Sequence, residues 1–264
     1  MGVVHMLRIS ILWLALLVTT FTSAQAEDIP PITSLIGAGI WSRPAYNGAG
    51  TNHLSQIPFT RYYGRPLFLR TTFGVLEGGL RTELLSGFTL GGQLAYESGR
   101  DSSESGLLAA HNITTLNPSL SWGIHAELVK KLGPMPLCAL LRYRQDFENN
   151  RGAQTDLRLE AGIFSGSGLN AGIFTQSTLA DKKSANYYYG ISKQQSANSG
   201  LSAFDAQSGE MFNAYGLFFS YDLNPEWVAL GNFESRQVRG AVIDSPLVQQ
   251  STNSYLSLGL AYQF

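Results

Sequence analysis

Residues Ser254–Phe264, which read Ser-Tyr-Leu-Ser-Leu-Gly-Leu-Ala-Tyr-Gln-Phe, decide the fold of this chain. Side chains alternate between the two faces of a strand. One face would carry Leu256, Leu258, Leu260, Tyr262 and Phe264, and the other would carry Tyr255, Ser257, Gly259, Ala261 and Gln263. Because an uncovered apolar edge is an aggregation hazard in water, this pattern predicts the closing strand of a barrel whose outer face meets lipid.

The first 26 residues have the pattern of a secretory signal peptide rather than of a folded element. Arg8 belongs to a short basic start, Ile9–Val18 is an apolar run, and Ala24-Gln25-Ala26 fits a cleavage site. The apolar run is too short for a membrane-spanning helix. We therefore expect a cleaved signal peptide at 1–26 and one domain at 27–264.

The composition narrows the class of protein. Charged residues make up 14% of the chain and aromatic residues 11%, with 28 glycines and a net charge of −1. No later run approaches 18 apolar residues, so no helical span is predicted. The absence of a basic tract argues against a nucleic-acid partner. The single cysteine, Cys138, rules out an intramolecular disulfide.

Period-two alternation recurs along the rest of the chain, and runs of about ten residues suit tilted strands that cross a membrane. It predicts about twelve strands, with ten as the alternative. Their approximate positions are 35–42, 56–63, 66–75, 79–85, 87–98, 115–130, 136–147, 153–165, 168–179, 210–222, 225–237 and 252–264.

The lengths of the connections agree with this count. With both ends of the barrel in the periplasm, every second connection must be a short periplasmic turn. Those connections are Gly64-Arg65, Ser86, Leu132–Met135, Gly166-Ser167 and Asn224, whereas 43–55, 98–114, 180–209 and 238–251 are long and polar. We therefore predict an all-β fold, an antiparallel transmembrane β-barrel with short periplasmic turns and long extracellular loops.

Strand parity places charged side chains on the inner face of the barrel. The main candidates are His125, Glu127, Arg142, Arg144, Asp146, Asp156, Arg158 and Glu160, and the same count adds Arg70, Arg81, Glu83, Glu234 and Arg236. These residues could line a selective pore. Because both signs occur on neighbouring strands, we interpret them as a structural charge ladder that fills the lumen.

Catalytic and metal-binding patterns are weak. Beyond the signal peptide the histidines are His53, His111 and His125. Ser121 shares a face with His125, but residues four apart in a strand are separated by about 13 Å. The acidic residues of the loops are scattered, and no phosphate-binding glycine motif is present. We predict a non-enzymatic protein with no catalytic residues, no metal and no cofactor.

Two further features have a functional and a structural interpretation. The run Tyr187-Tyr188-Tyr189 could bind sugar, but we favour an aromatic girdle or loop packing. A periplasmic partner could contact Ile29 and Ile32 before the first strand, or Lys130, Lys131 and Met135 at the β-turn near 132–135. In the structural interpretation the lysines snorkel at the interface and the prolines end strands.

Several motifs together resemble the MltA-interacting protein (MipA/OmpV-like) family of bacterial outer-membrane proteins. They are Ile36–Ile40, Arg43–Gly48, Asn186–Gly209, Asp244–Val248 and the closing strand. Terminal Phe264, with Tyr262, also resembles the signal that such proteins present to the barrel-assembly machinery. The resemblance implies a Gram-negative outer-membrane barrel, surrounded by outer-membrane lipid and without a catalytic centre.

The resemblance further implies a scaffold that joins a murein transglycosylase to a murein synthase in the cell envelope. Other members of the family are described as adhesins or in connection with antibiotic uptake. Two alternatives therefore stay open, a narrow channel for small solutes and an adhesin that acts through 98–114, 180–209 and 238–251.

Overall fold

The computed structural model describes residues 34–72 and 74–264, which form a closed barrel of twelve antiparallel strands. The predicted fold class and strand number are thus confirmed. The strands are β1 (Leu35–Pro44), β2 (Asn52–Tyr63), β3 (Leu67–Thr72), β4 (Val75–Leu85), β5 (Phe88–Glu97), β6 (Ser119–Leu132), β7 (Met135–Asp146), β8 (Ala153–Gly166), β9 (Leu169–Ala180), β10 (Gly209–Asp222), β11 (Trp227–Val238) and β12 (Thr252–Gln263). The predicted signal peptide at 1–26 and the candidate contacts Ile29 and Ile32 lie outside the described residues.

The last strand closes the barrel against the first. β1 pairs with β12 from Leu35↔Gln263 to Ser42↔Leu256, while β12 also pairs with β11. The outer face of β12 is exposed at Leu256, Leu258, Leu260, Tyr262 and Phe264, as the alternation predicts. A closed barrel leaves no strand edge in the hydrocarbon. Its apolar outer surface can therefore contact lipid while the backbone N–H and C=O groups of every strand remain paired.

We expect that deletion of Phe264 reduces barrel assembly more than the substitution Gln263→Ala. Phe264 presents an exposed ring on the outer face, whereas the Gln263 amide donates to the carbonyl of Pro225 at 3.1 Å. The measurement is the fraction of outer-membrane protein that shifts on a gel only after heating. Equal assembly of the two variants would show that the Phe264 side chain does not contribute to barrel assembly.

Aromatic side chains mark both ends of the lipid-facing band. At the periplasmic end the rings of Trp227 and Tyr262 meet edge to face at 5.5 Å, and at the extracellular end Trp122 and Tyr143 do so at 6.0 Å. Such rings favour the membrane–water interface. None of the helices in the described part of the chain is long and apolar enough to cross a membrane.

The periplasmic connections are short, at 64–66, 86–87, 133–134, 167–168 and 223–226. The predicted turn Leu132–Met135 is tighter than expected, because Leu132 and Met135 are themselves a cross-strand pair. Gly133 has a positive φ of 61°, which lets two residues close this hairpin. The β10–β11 connection, at 223–226, is longer than this turn.

Several strand boundaries differ from the predicted ones, and two strands begin about four residues earlier than predicted. β2 begins at Asn52 rather than near 56, and β4 begins at Val75 rather than near 79. Gly74, with a φ of 79°, lies in the turn before β4. Because this turn comes earlier than predicted, β4 gains one more inward-facing residue, Glu77.

The long extracellular loops fold into a helical cap. It contains the helices α1 (Gly106–Ala110), α2 (Lys182–Tyr189) and α3 (Lys193–Ser199), with 3-10 turns at Ser102–Glu104 and Gly240–Asp244. One apolar cluster comprises Ala180, Ala185, Tyr189, Ala206, Met211, Phe212, Val238 and Val242, and a second comprises Leu108, Ile113, Ile191 and Leu247. These clusters join loops that are far apart in sequence, so the cap is a packed unit over the mouth of the barrel.

Candidate functional site

The centre of the lumen is an ion-pair bridge between three strands. Arg142 on β7 contacts Glu77 on β4 and Asp156 on β8, each at 2.8 Å. Arg142 is 2% exposed, and Glu77 and Asp156 are each 1% exposed. Because the guanidinium carries several donors in a fixed plane, one arginine can satisfy a carboxylate on either side of the lumen.

The bridge extends in both directions across the inner wall. Arg70 contacts Glu77 at 2.5 Å and Glu127 at 2.7 Å. Arg144 contacts Asp156 at 3.3 Å and also pairs with Glu97. Positive and negative side chains thus alternate through a network that draws on β3 to β8.

Neutral polar groups complete the coordination of the buried carboxylates. Gln93 donates to Glu77 at 3.1 Å, and Thr178 donates to Asp156 at 2.7 Å. His125 Nδ1 forms a hydrogen bond with the side-chain oxygen of Gln93. Buried charges are tolerated when their remaining hydrogen-bonding positions are filled, and these contacts fill them.

Two smaller ion pairs lie on other parts of the wall, and each also involves an aromatic ring. Arg158 contacts Glu160 at 2.5 Å, and its guanidinium lies 3.7 Å from the ring centroid of Phe174. Arg236 contacts Glu234 at 2.6 Å and stacks on Tyr255 at 4.4 Å. These stacked pairs add cation–π attraction to the ion pairs.

The structure brings most of the predicted ladder residues together inside the barrel. Asp146 lies at the extracellular end of β7, where its carboxylate accepts a hydrogen bond from the Glu148 amide at 2.7 Å. Glu83 has the predicted inward parity, since it pairs with buried Thr89 on the inner face of β5, but it lies at the periplasmic end of β4 and outside the network. Its side chain is exposed and accepts from the amide of Gly87 at 2.8 Å, at a bulge between Glu83 and Leu85.

Four residues described above escaped the sequence reasoning: Glu77, Gln93, Glu97 and Thr178. Glu77 was missed because the predicted β4 began too late. Gln93 and Glu97 share the inner face of β5 with Gly91, and the alternation Gly91, Gln93, Ala95, Glu97 was the available signal.

The middle of the lumen is packed. A water-filled channel would leave its lining side chains accessible to solvent, yet Arg70, His125, Arg158, Gln176 and Thr178 are all buried along with the central bridge. Twelve strands enclose a limited bore, and these long side chains fill it. The network therefore acts as the core of the barrel.

The cap is fastened over this core by α2. Tyr188 donates from its hydroxyl to Glu97 at 2.9 Å, and Arg100 donates to the Tyr188 carbonyl at 2.9 Å. Tyr189 donates to the carbonyl of Asn47 at 3.2 Å. Burial, and secondarily the Glu97 charge, raise the pKa of Tyr188 well above its usual value, so its hydroxyl remains a donor at neutral pH. The tyrosines thus serve loop packing rather than an interfacial girdle.

We expect that Tyr188→Phe loosens α2 without unfolding the barrel. Loss of one buried hydrogen bond costs about 1 kcal/mol, which corresponds to roughly fivefold faster local amide exchange. The measurement is hydrogen–deuterium exchange over Lys182–Tyr189. Tyr187→Phe is the matched control. The Tyr187 ring contacts Tyr188 and Arg151, and a phenylalanine ring keeps both contacts. Unchanged exchange in Tyr188→Phe would contradict this role.

A small polar cleft remains between the network and the cap. Its walls include Glu97, Ser121, Arg144, Asp146 and Tyr188, and its inner part has room for about one water molecule. No group of three or more His, Cys, Asp or Glu side chains that could hold a metal ion is found among residues 34–72 and 74–264. Chemically, the arginines of the network neutralise the buried carboxylates inside the barrel.

A closed antiparallel barrel with an apolar outer band and a polar core is a bacterial outer-membrane β-barrel. The chain matches the family "MltA-interacting protein MipA" over residues 36–264, and it belongs to this family. The resemblance seen in the sequence motifs is therefore confirmed. Fold and family together support a place in the outer membrane.

Similar proteins agree with this assignment. The MltA-interacting proteins of Escherichia coli (strain K12) and of Shigella flexneri are each 33% identical to the chain over 79 residues. The alignment covers 30% of this chain and 31% of each relative. The solved structure of the NanC porin has a TM-score of 0.50 at 10% identity, and the match covers 87% of this chain and 100% of that chain. This last likeness concerns the fold alone.

Proposed function

We propose that this protein is a non-enzymatic scaffold of the outer membrane, which links murein-hydrolysing and murein-synthesising enzymes to that membrane. The observation that carries the proposal is the family match over 36–264, together with relatives named for an interaction with MltA. Such a function needs a stable membrane-embedded body and surfaces that a periplasmic enzyme can reach.

The packed lumen supports a role that does not depend on transport. The ion pairs of Arg142, Asp156 and Glu77 hold the wall together at its centre, and the cap covers the extracellular mouth. A non-enzymatic role is supported by the way these groups are used. The carboxylates are neutralised by arginines, and His125 is tied to Gln93.

Biogenesis forms part of the proposal. Residues 1–26 would be removed on export, and Tyr262 and Phe264 would present the closing strand to the barrel-assembly machinery. The position of both side chains on the outer face, at the periplasmic end of β12, supports this reading.

A direct binding measurement tests the scaffold role. The protein, purified and inserted in lipid nanodiscs, is immobilised and exposed to the soluble domain of an MltA-type transglycosylase from the same bacterium. We expect saturable binding, and recruitment of a murein synthase only after the transglycosylase is bound or together with it. Nanodiscs that carry an unrelated outer-membrane barrel are the control. Binding no stronger than to that control would overturn the scaffold role.

A further inference from the structure

The polar cleft at the extracellular end of the lumen is built from the barrel wall and from the cap. Ser121 on β6 and Asp146 on β7 form a direct cross-strand pair in its wall, and Arg144 lies deeper along β7. Ser184 and Tyr188 contribute the α2 side of the cleft. The cleft therefore separates the charge network of the barrel from the helix that fastens the cap.

Three buried side chains that line this cleft each keep a polar atom without a hydrogen-bond partner among the described residues. They are Ser121, Arg144 and Arg151, which are 2%, 5% and 7% exposed, and the atoms are the Ser121 hydroxyl oxygen and the Nε of each arginine. Buried polar groups in folded proteins are nearly always hydrogen-bonded, either to protein or to ordered water. The cleft therefore calls for an occupant that accepts hydrogen bonds.

The two arginines cannot turn to pair their Nε atoms, because their other nitrogens are already bonded. Arg144 donates from Nη2 to the side-chain oxygen of Gln154 at 3.0 Å. Arg151 donates to the carbonyl of Asn117 at 2.9 Å and to the carboxylate of Glu148 at 2.8 Å. These bonds fix both guanidinium planes, so the occupant must come to the Nε atoms.

The Asp146 carboxylate offers the occupant an acceptor in return. One of its oxygens accepts from the Glu148 amide at 2.7 Å. Asp146 and Ser121 are cross-strand neighbours, yet no hydrogen bond joins their side chains in the described part of the chain. A molecule that lies between them must accept from the serine and donate to the carboxylate. Water does both, and the inner part of the cleft has room for about one water molecule.

The charges around the cleft argue against an ion. Two arginines line it, Arg144 and Arg151. Four carboxylates line it or pair with these arginines: Glu97, Asp146, Glu148 and Asp156. An anion would meet this excess of negative charge, and a cation would meet the N–H groups of two guanidinium ions. A neutral molecule suits the site better than either.

We propose that the cleft is a binding site for one ordered water molecule, which accepts hydrogen bonds from Ser121 and Arg144 and donates one to Asp146. This water fills the space between the barrel wall and α2. It therefore fastens the cap to the charge network, in addition to the hydrogen bond from Tyr188 to Glu97. A bridge through an ordered water is nearly as favourable as a direct hydrogen bond. The inference does not depend on the proposed scaffold function.

A crystal structure of the full protein in detergent, grown with bromide as the only halide, tests the site directly. We expect one electron-density peak about 2.7–3.2 Å from Ser121 Oγ, Arg144 Nε and an Asp146 oxygen, without an anomalous bromide signal. An anomalous peak at this position would show an anion site and overturn the proposal. A cleft without a peak, in a map that shows ordered water elsewhere in the lumen, would overturn it as well.

Two serine variants test whether the water fastens the cap. Ser121→Ala removes one partner of the water and should make amide exchange over Lys182–Tyr189 roughly threefold faster. Ser257→Ala is the matched control, because Ser257 is 4% exposed on the inner face of β12 and does not line the cleft, and it should leave this exchange unchanged. Both variants are first checked for heat-dependent gel mobility, which reports a folded barrel. Equal exchange in Ser121→Ala and wild type would overturn the fastening by water.

Discussion

Arg142→Ala is expected to lower the free energy of unfolding by about 3–5 kcal/mol, because it leaves Glu77 and Asp156 as buried carboxylates without their shared cation. Both contacts are 2.8 Å long and all three side chains are buried, so solvent cannot replace the guanidinium easily. Arg70 and Arg144 remain beside the two carboxylates and limit the loss. The measurement is urea-induced unfolding in lipid vesicles, followed by tryptophan fluorescence.

Two companion variants make this experiment specific. Adding Asp156→Asn to Arg142→Ala should recover part of the lost stability, because it removes one of the two stranded charges. Lys182→Ala is the surface control, since Lys182 and Asp205 form an exposed ion pair at 2.7 Å on the cap. That change should cost less than about 1 kcal/mol. Equal losses for Arg142→Ala and Lys182→Ala would show that the lumen network does not stabilise the barrel.

Gly91→Ala is expected to destabilise the barrel by about 1–3 kcal/mol through overpacking. A Cβ atom at Gly91 would lie 2.6 Å from Nε2 of His125 and 2.8 Å from the carbonyl oxygen of Leu80. The imidazole cannot simply turn away, because it is bonded to Gln93 and packs edge to face on Phe68 at 5.2 Å. The same unfolding assay measures the effect.

The adjacent glycine provides the control for this prediction. Gly92 lies on the outer face of the same strand, where the nearest atom to an added Cβ is the Gly123 carbonyl oxygen at 3.9 Å. Gly92→Ala should therefore change stability by no more than about 0.5 kcal/mol. If both alanine variants were equally stable, the close fit between the His125 ring and the β5 backbone would be refuted.

The barrel fold could be predicted from the sequence because each strand of its wall has an alternating pattern that is visible over a few neighbouring residues. Alternation in β12, from Tyr255 to Phe264, needs only neighbouring residues to be recognised, and the parity of short and long connections then orients the barrel. The Arg142–Asp156 pair could also have been predicted from the sequence, since the two residues are direct cross-strand partners in the β7–β8 hairpin.

Contacts between strands that are distant in sequence could not be predicted in this way. Arg70 reaches Glu127 across the lumen, and that pairing depends on barrel curvature and on the register of β3 to β6. Glu83 shows the same limit, because the period-two count gives its face but does not show that it lies at the periplasmic end of β4, where its side chain is exposed.

The cap escaped prediction because its apolar residues are sparse in each loop. Leu108 and Leu247 belong to the β5–β6 and β11–β12 loops, which are far apart in sequence, yet they share one buried cluster. Each loop alone is polar enough to be interpreted as solvent-exposed. Only the closed barrel brings them to one rim, where a few apolar side chains per loop suffice to form a core.

Single-channel recording in planar bilayers tests most directly whether this protein acts through its surfaces and not through its pore. A reconstituted general porin serves as the positive control. With a lumen packed by the Arg142 network and covered by the cap, the wild-type protein is predicted to give no steady conductance, and Arg142→Ala and Arg158→Ala should open no large one. Steady wild-type channels whose ion selectivity reverses on either substitution would contradict the account and establish a selective pore.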